Sequence, residues 1–228
     1  MNNLYIVATP IGNMQDITSR AMLTLDEVGA ILCEDTRETK KLLEKYEIKT
    51  SHLIPFNEFN EENVLYEVLE LLKTVDVALV SDAGTPLISD PGYKLVSYAR
   101  KRGIKVIPIP GPSAIITALC ASGLPTDKFT FLGFLPKTQG KAVTILENTK
   151  KMELTVILYE SPHRIIKTLE TINNVFGDIE VTIARELTKV YEEIFSDKCL
   201  NLIEKYANKN PKGEFVLLFS TKVKPHNS

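Results

Sequence analysis

At 228 residues, 44% hydrophobic and 25% charged, the chain has room for one large domain or two modest ones, and its composition excludes a disordered protein. A formal net charge of −2 excludes an overall basic field, so an RNA partner must be met by a local patch. Cys33, Cys120 and Cys199 are odd in number and widely spaced, which argues against a disulfide framework and reads as buried, reduced thiols.

MNNLYIVATP has no basic region leading into a long apolar run, so no signal peptide is expected. No window reaches the length of a membrane span, and a cytoplasmic protein is expected. Leu4–Ala8 reads as a short buried strand turning at Thr9-Pro10, and Asp16 is the expected cap of a helix carrying Ala21, Leu25 and Val28. Ala30–Cys33 is a second strand, ending in Glu34-Asp35. Leu65, Val68, Leu69 and Leu72 mark an amphipathic helix. Val77–Val80 is a strand, Tyr93–Lys101 a helix that Ser89-Asp90 is expected to cap, Lys105–Ile109 a strand, and Pro110-Gly111-Pro112 turns the chain into a helix over Ser113–Cys120. Continuous apolar strands joined by helical crossovers predict an α/β unit with a mostly parallel sheet and helices on both faces.

After Ser122-Gly123-Leu124-Pro125 the texture changes. Phe129–Leu135 and Leu154–Tyr159 are strand-like, and Ile165, Leu169, Ile172 and Phe176 form a helical stripe. EVTIARE and Tyr191–Phe195 suggest a hairpin, followed by a helix on Cys199, Leu202, Ile203 and Tyr206 and a strand over Phe215–Phe219. Adjacent strands without helices between them predict a mixed sheet. The boundary is placed near residue 116, dividing 1–116 from 117–228.

Polar punctuation falls at the C-terminal ends of the first-half strands: Thr9-Pro10, Glu34-Asp35, Ser81-Asp82 and Pro110–Ser113. In open α/β sheets, ligands bind beyond those ends. G-x-G-x-x-G, G-x-x-x-x-G-K-[ST] and G-x-S-x-G are all absent, so nothing supports a dinucleotide site, a P-loop or the commonest hydrolase. His52, His163 and His226 do not stand with Cys or carboxylates at metal-ligand spacing, and no metal is expected. In Asp82-Ala83-Gly84-Thr85-Pro86, the small residues let backbone N–H and C=O groups reach a nucleoside edge, while Pro86 and Pro91 stiffen the loop. Such a neutral or acidic site suits a nucleoside without phosphates and tolerates a cationic sulfonium.

TPIGN (9–13), EDTR (34–37), FNEFN (56–60), SDAGTPLISDPG (81–92), PGPSA (110–114), SGLP (122–125), FLGFLP (131–136), YESPHR (159–164), ARELTKVYEE (184–193) and KGEFVLL (212–218) occur in that order. Together they resemble the tetrapyrrole methylase, or class III methyltransferase, family in its ribosomal-RNA branch. The resemblance implies two α/β domains, a mostly parallel N-terminal sheet and a mixed C-terminal one, with S-adenosylmethionine in the cleft between them, and a homodimer. It implies methylation of the ribose 2′-hydroxyl of a cytidine in the decoding centre of small-subunit rRNA, as naked RNA or in the assembled subunit. By motif, Pro10 should lie beside the cofactor, with Ala83, Gly84, Thr85 and Ile88 against it. Thr85 stands where relatives carry an acidic residue, so that role is expected either to be changed or to be taken elsewhere, with Asp82 the candidate. Ser113 and Ala114 follow the second glycine turn, and Tyr159 and Ala184 should close over the adenine. Relatives often continue into a small C-terminal extension; this chain ends at Ser228, so any RNA grip supplied there is expected to be missing.

Candidates for a base accepting the 2′-hydroxyl proton are Asp35, Glu58, Glu160 and Glu186, each of which has an ordinary alternative as a cap or ion pair. Arg37, Lys40, Lys41, His163, Arg164, Arg185 and Lys189 are the basic candidates for RNA phosphates, with Phe56, Phe59 and Tyr191 for unstacked bases. Two rival readings are a methyltransferase acting on a corrin or porphyrin precursor and a non-catalytic ribosome-associated module that binds S-adenosylmethionine.

Overall fold

The computed structural model describes residues 2–49, 52–207 and 211–222, and His226 lies outside them. The chain forms two compact units, Met1–Ser113 and Ala114–Ser228.

The first unit is a parallel sheet. Its strands are β1 (Leu4–Val7), β2 (Ala30–Cys33), β3 (Leu53–Pro55), β4 (Val77–Val80) and β5 (Val106–Ile109), in the order β3-β2-β4-β1-β5. The inner strands β2 and β4 are wholly buried, which is why AILC and VALV are continuous apolar runs. Each edge strand carries a proline, Pro55 and Pro108, where a missing N–H does not break a central ladder.

Alternate residues of each inner strand face opposite cores. Leu32, Val77 and Leu79 pack with Leu65, Val68 and Leu69 of α3 (Glu61–Leu71) and with Leu95 and Ala99 of α4 (Tyr93–Lys101). Ile31, Cys33, Ala78 and Val80 pack with Ala21 and Leu25 of α1 (Ser19–Glu27) and with Leu42 and Leu43 of α2 (Thr36–Lys45). Each Leu or Ile so enclosed contributes about 1.5–3 kcal/mol. The crossovers after β1 and β4 therefore leave on opposite faces, and the crevice beyond these two adjacent strands is a topological switch point.

In the second unit β6 (Phe129–Phe134) runs parallel to β7 (Thr155–Glu160). β10 (Phe215–Ser220) lies antiparallel between β7 and β8 (Glu180–Arg185), and β9 (Glu193–Lys198) pairs antiparallel with β8. One face carries α6 (Gln139–Thr149), α7 (Ile165–Phe176) and α8 (Cys199–Ala207), whose Leu146, Leu169, Ile172 and Leu202 join the core with Leu158, Ile183 and Leu217. α5 (Ala114–Ala121) packs against β10.

Several local expectations are corrected. Thr18, whose hydroxyl accepts from the Ala21 amide, caps α1; Asp16 instead lies in a short 3-10 turn opened by Asn13. β3 and α6 were not expected at all. The hairpin partner starts at Glu193, not Tyr191. Cys33 and Cys199 are buried free thiols, but Cys120 is exposed. Among the described residues no helix is long and apolar enough to cross a membrane, and no three His, Cys, Asp or Glu side chains group to hold a metal.

Candidate functional site

The four polar turns are tied into one edge because their strands are parallel and end together. The Thr9 amide donates to the Gly84 carbonyl (2.9 Å) and the Gly84 amide to the Thr9 carbonyl (3.1 Å), joining the loops after β1 and β4. The buried Thr9 hydroxyl also donates to the Ser81 carbonyl at 3.0 Å. The Asp82 carboxylate accepts from the Asp35 amide at 3.0 Å, joining the loops after β4 and β2. The Thr85 hydroxyl donates to the Pro112 carbonyl at 3.0 Å and ties in the loop after β5.

These bonds redistribute the expected roles. Gly84 adopts φ +86, and a Cβ there would meet Ile11 Cγ2 at 3.2 Å. Its N–H and C=O are engaged by Thr9, so Gly84 is the hinge pin of the edge and does not present them to a ligand, contrary to expectation. Pro10 is buried, while Asp82, Ala83, Ile88 and Ser89 are the exposed positions of the loop. Ser113 and Ala114 are half-buried at the start of α5. Ser89-Asp90 does not cap α4, whose N-cap is Gly92 at φ 125.

Asp90 instead turns its carboxyl toward Ser81, Glu34, Asp82 and Glu58. Burial, then the charges of Glu34 and Asp82, push it up to about 6 against the opposing Ser81 hydroxyl. Burial and the Asp82, Glu58 and Asp35 charges raise Glu34. Burial, with Asp35 and Glu38, raises Asp82 despite the Asp35 amide. Glu34 and Asp90 were absent from the expected site. Their signal was the first acidic residue of EDTR and the second Ser-Asp pair, but the charge cluster exists only once β2 and β4 are neighbours.

Each candidate base now has a defined setting. Asp35 caps α2 and receives Arg37 Nε at 3.0 Å and Nη2 at 2.6 Å, and these hydrogen bonds hold it down to about 2. Glu58 is exposed, in a turn locked by reciprocal Asn57–Asn60 hydrogen bonds. Glu160 is 2% exposed and accepts from the Thr168 hydroxyl (2.5 Å) and the Ser161 amide (2.8 Å), with Arg164 Nε at 3.6 Å. Burial would raise Glu186, but Lys189 at 3.0 Å and the Glu214 amide hold it below its ordinary value.

The basic candidates divide sharply. Arg37, Lys40, Lys41 and His163 project from the surface, although Arg37 pairs with Asp35 and Lys41 with Glu38. Arg164 donates to the Leu135 carbonyl (2.6 Å), Arg185 to Glu193 (3.1 Å) and the Lys212 carbonyl (3.0 Å), and Lys189 bridges Glu186 and Glu214. Phe56 is fully buried and unavailable for stacking, whereas Phe59 is 96% and Tyr191 74% exposed. Tyr159 is half-buried against Phe131 and Phe134, and Ala184 is buried on β8.

Comparison with known proteins adds to this geometry. Residues 3–202 match the model of the Tetrapyrrole (Corrin/Porphyrin) Methylases. The chain is similar to the ribosomal RNA small subunit methyltransferase I of Thermotoga maritima, 48% identical over 97% of this chain and 100% of that one. It is similar to those of Vibrio cholerae, 51% identical over 94% of this chain and 76% of that one, and of Halalkalibacterium halodurans, 49% identical over 94% and 74%. Among solved structures, a diphthine synthase superposes with a TM-score of 0.76 at 15% identity, covering 96% of this chain and 90% of that one. A cobalt precorrin-4 methyltransferase does so with 0.71 at 15%, covering 98% and 96%. At that identity these two report a common fold.

Proposed function

The chain belongs to the tetrapyrrole methylase family and, within it, to the ribosomal RNA small subunit methyltransferase I family, and from that premise we propose that it methylates small-subunit rRNA. It is an S-adenosylmethionine-dependent enzyme, and the acceptor is the ribose 2′-hydroxyl of a cytidine in the decoding centre. The observation that carries this reading is the acidic edge beyond β1 and β4, where Glu34, Asp82 and Asp90 crowd one another.

That edge fits the cofactor. Carboxylates that already raise one another's proton affinity attract a sulfonium and an α-ammonium group and repel phosphates. The hinge at Gly84, left-handed and with Ile11 3.2 Å from where a Cβ would stand, keeps the loop in contact with Thr9. Pro10, Asp82, Ala83, Gly84, Thr85 and Ile88 are the residues that would hold the cofactor on this edge, with Ser113 and Ala114 after the next turn. The same reading gives Tyr159 and Ala184 to the adenine. When bound, S-adenosylmethionine supplies an electrophilic methyl group.

The protein's own task is to align the acceptor hydroxyl and take up its proton. Alignment is the larger contribution, because fixing two reactants in line replaces a bimolecular encounter. Asp35 and Glu160 are engaged by Arg37 and by Thr168, Ser161 and Arg164, and Glu186 by Lys189. Glu58, exposed and within the field of Glu34 and Asp90, is therefore the proton acceptor we favour. Arg37, Lys40 and Lys41 offer exposed cations to RNA phosphates, and His163 an exposed imidazole. The working enzyme is a cytoplasmic homodimer in this reading.

The test is methylation of small subunits from a strain lacking this modification, mapped at nucleotide resolution. One ribose-methylated cytidine in the decoding centre is expected. A base-methylated product, or methyl transfer to a tetrapyrrole in preference to RNA, contradicts the reading.

A further inference from the structure

Beyond the end of β8 the second unit carries a half-open cavity of about 340 Å³, within the range of small-ligand sites. One of its walls is Tyr206, which is 3% exposed and whose hydroxyl has no hydrogen-bond partner among the described residues. A buried donor left unpaired is costly, and here it borders a space large enough for a ligand. Arg185, Lys205 and Lys212 bring cations to the same cavity, and Tyr191 brings a ring that is 74% exposed. Lys205 Nζ rests 3.5 Å from the centre of the Phe195 ring, which fixes its position without a carboxylate partner at that contact.

The loop that presents Tyr191 is built under strain. Glu186 (φ 50) and Thr188 (φ 65) are both left-handed without being glycine. They are held so by the Thr188 amide donating to Glu192 at 2.6 Å and by Lys189 bridging Glu186 and Glu214. Strain maintained by surrounding contacts in this way marks loops shaped for a purpose. The charge count narrows the ligand. Three cations stand against the carboxylates of Glu186 and Glu193, an imbalance too small for a polyphosphate and suited to one phosphate with a neutral ring. An exposed tyrosine beside an unpaired donor meets the stacking face and polar edge of a nucleobase.

We propose that this cavity takes one unstacked nucleotide of the RNA substrate, its base against Tyr191 and hydrogen-bonded by the Tyr206 hydroxyl, its phosphate neutralised by Lys212. The inference rests on the rRNA reading above and adds the place where the second unit grips the strand.

The chain contains no tryptophan, so Tyr191→Trp in the full-length protein is a single fluorescent reporter. Titrated with a single-stranded oligocytidylate of about ten nucleotides, its emission should be quenched to saturation. Adding Tyr206→Phe should raise the apparent Kd about three- to tenfold. The same change should leave the melting temperature unchanged or higher, because an unpaired hydroxyl is removed. Lys212→Ala should lower the slope of log K against log salt by about one. In methylation assays both variants should raise KM for small subunits and leave cofactor affinity unchanged.

RNA that binds by gel shift while the reporter stays unquenched, or a Kd indifferent to Tyr206→Phe, overturns the proposal. If the wild type still methylates small subunits in that case, only the cavity assignment fails. If it modifies no rRNA, both readings fall.

Discussion

The two units end their strands in opposite chemistry. In the first, a fully parallel sheet delivers every strand end to one edge, where Glu34, Asp82 and Asp90 crowd together and the loops are cross-tied through Thr9–Gly84, Asp82–Asp35 and Thr85–Pro112. In the second, a mixed sheet scatters its strand ends, and Arg164, Arg185 and Lys189 are held near them by carboxylates and carbonyls. An acidic edge suits a cationic small molecule, whereas these three cations, already engaged, hold the loops of the second unit in shape. Sheet topology thus decides whether charge is concentrated or spread before any one residue is chosen.

That contrast breaks most visibly through buried groups of the second unit. Glu160→Ala removes the acceptor for Thr168 and Ser161 and the partner of Arg164, and should cost about 3 kcal/mol in chemical denaturation. Glu160→Gln, which keeps an acceptor, should lose less than half of that. Gly213→Ala comes next: at φ +90 its Cβ would lie 2.2 Å from Glu186 Oε1, and a loss of about 2–3 kcal/mol is expected from strain and a displaced carboxylate. Its methylation defect should appear with cofactor affinity intact.

Gly84→Ala is the matching change on the first edge. The left-handed conformation costs a side chain about 1–2 kcal/mol, and the Cβ would press on Ile11 at 3.2 Å. Here cofactor affinity should fall at least as far as stability does, as read by calorimetric titration. If the two glycine variants affect cofactor affinity alike, the division of labour between the units is wrong.

Asp90→Asn is the smaller and finer probe. Asp90 is raised from its ordinary value near 3.8 to about 6 in the folded protein. The folded state therefore binds the proton more tightly, and stability falls as pH rises from about 4 to 6. Asp90→Asn should remove that slope and gain about 1 kcal/mol at neutral pH, once solvent screening of this half-exposed group is allowed for. Lys40→Ala, on the exposed face of α2, should change stability by less than about 0.5 kcal/mol.

Much of this architecture was legible because burial writes itself into sequence. Ala30–Cys33 and Val77–Val80 are apolar throughout since both faces of their strands are covered. The stripe Ile165, Leu169, Ile172 sits on α7 as its spacing implies. Leu53–Pro55 escaped because three residues with a proline carry no period, and Gln139–Thr149 because only Ala142, Leu146 and Thr149 of its eleven residues are buried. Competing caps were undecidable locally, as Thr18 against Asp16 and Gly92 against Asp90 show. The motif loops were visible at the strand ends, but their hydrogen bonding was not. Gly84 is occupied by Thr9, seventy-five residues away, and Asp90 is perturbed by Glu34, fifty-six residues away. Such roles belong to neighbours that only topology brings together.

The acidic edge is tested most directly by titrating the wild type and Asp90→Asn with S-adenosylmethionine and with its uncharged thioether product between pH 5 and 7.5. For the wild type, affinity for the charged sulfonium should rise about three- to tenfold relative to the thioether as pH passes through about 6. Asp90→Asn should flatten that rise. A preference independent of pH, or unchanged by Asp90→Asn, would contradict the assignment of this edge to the cofactor cation.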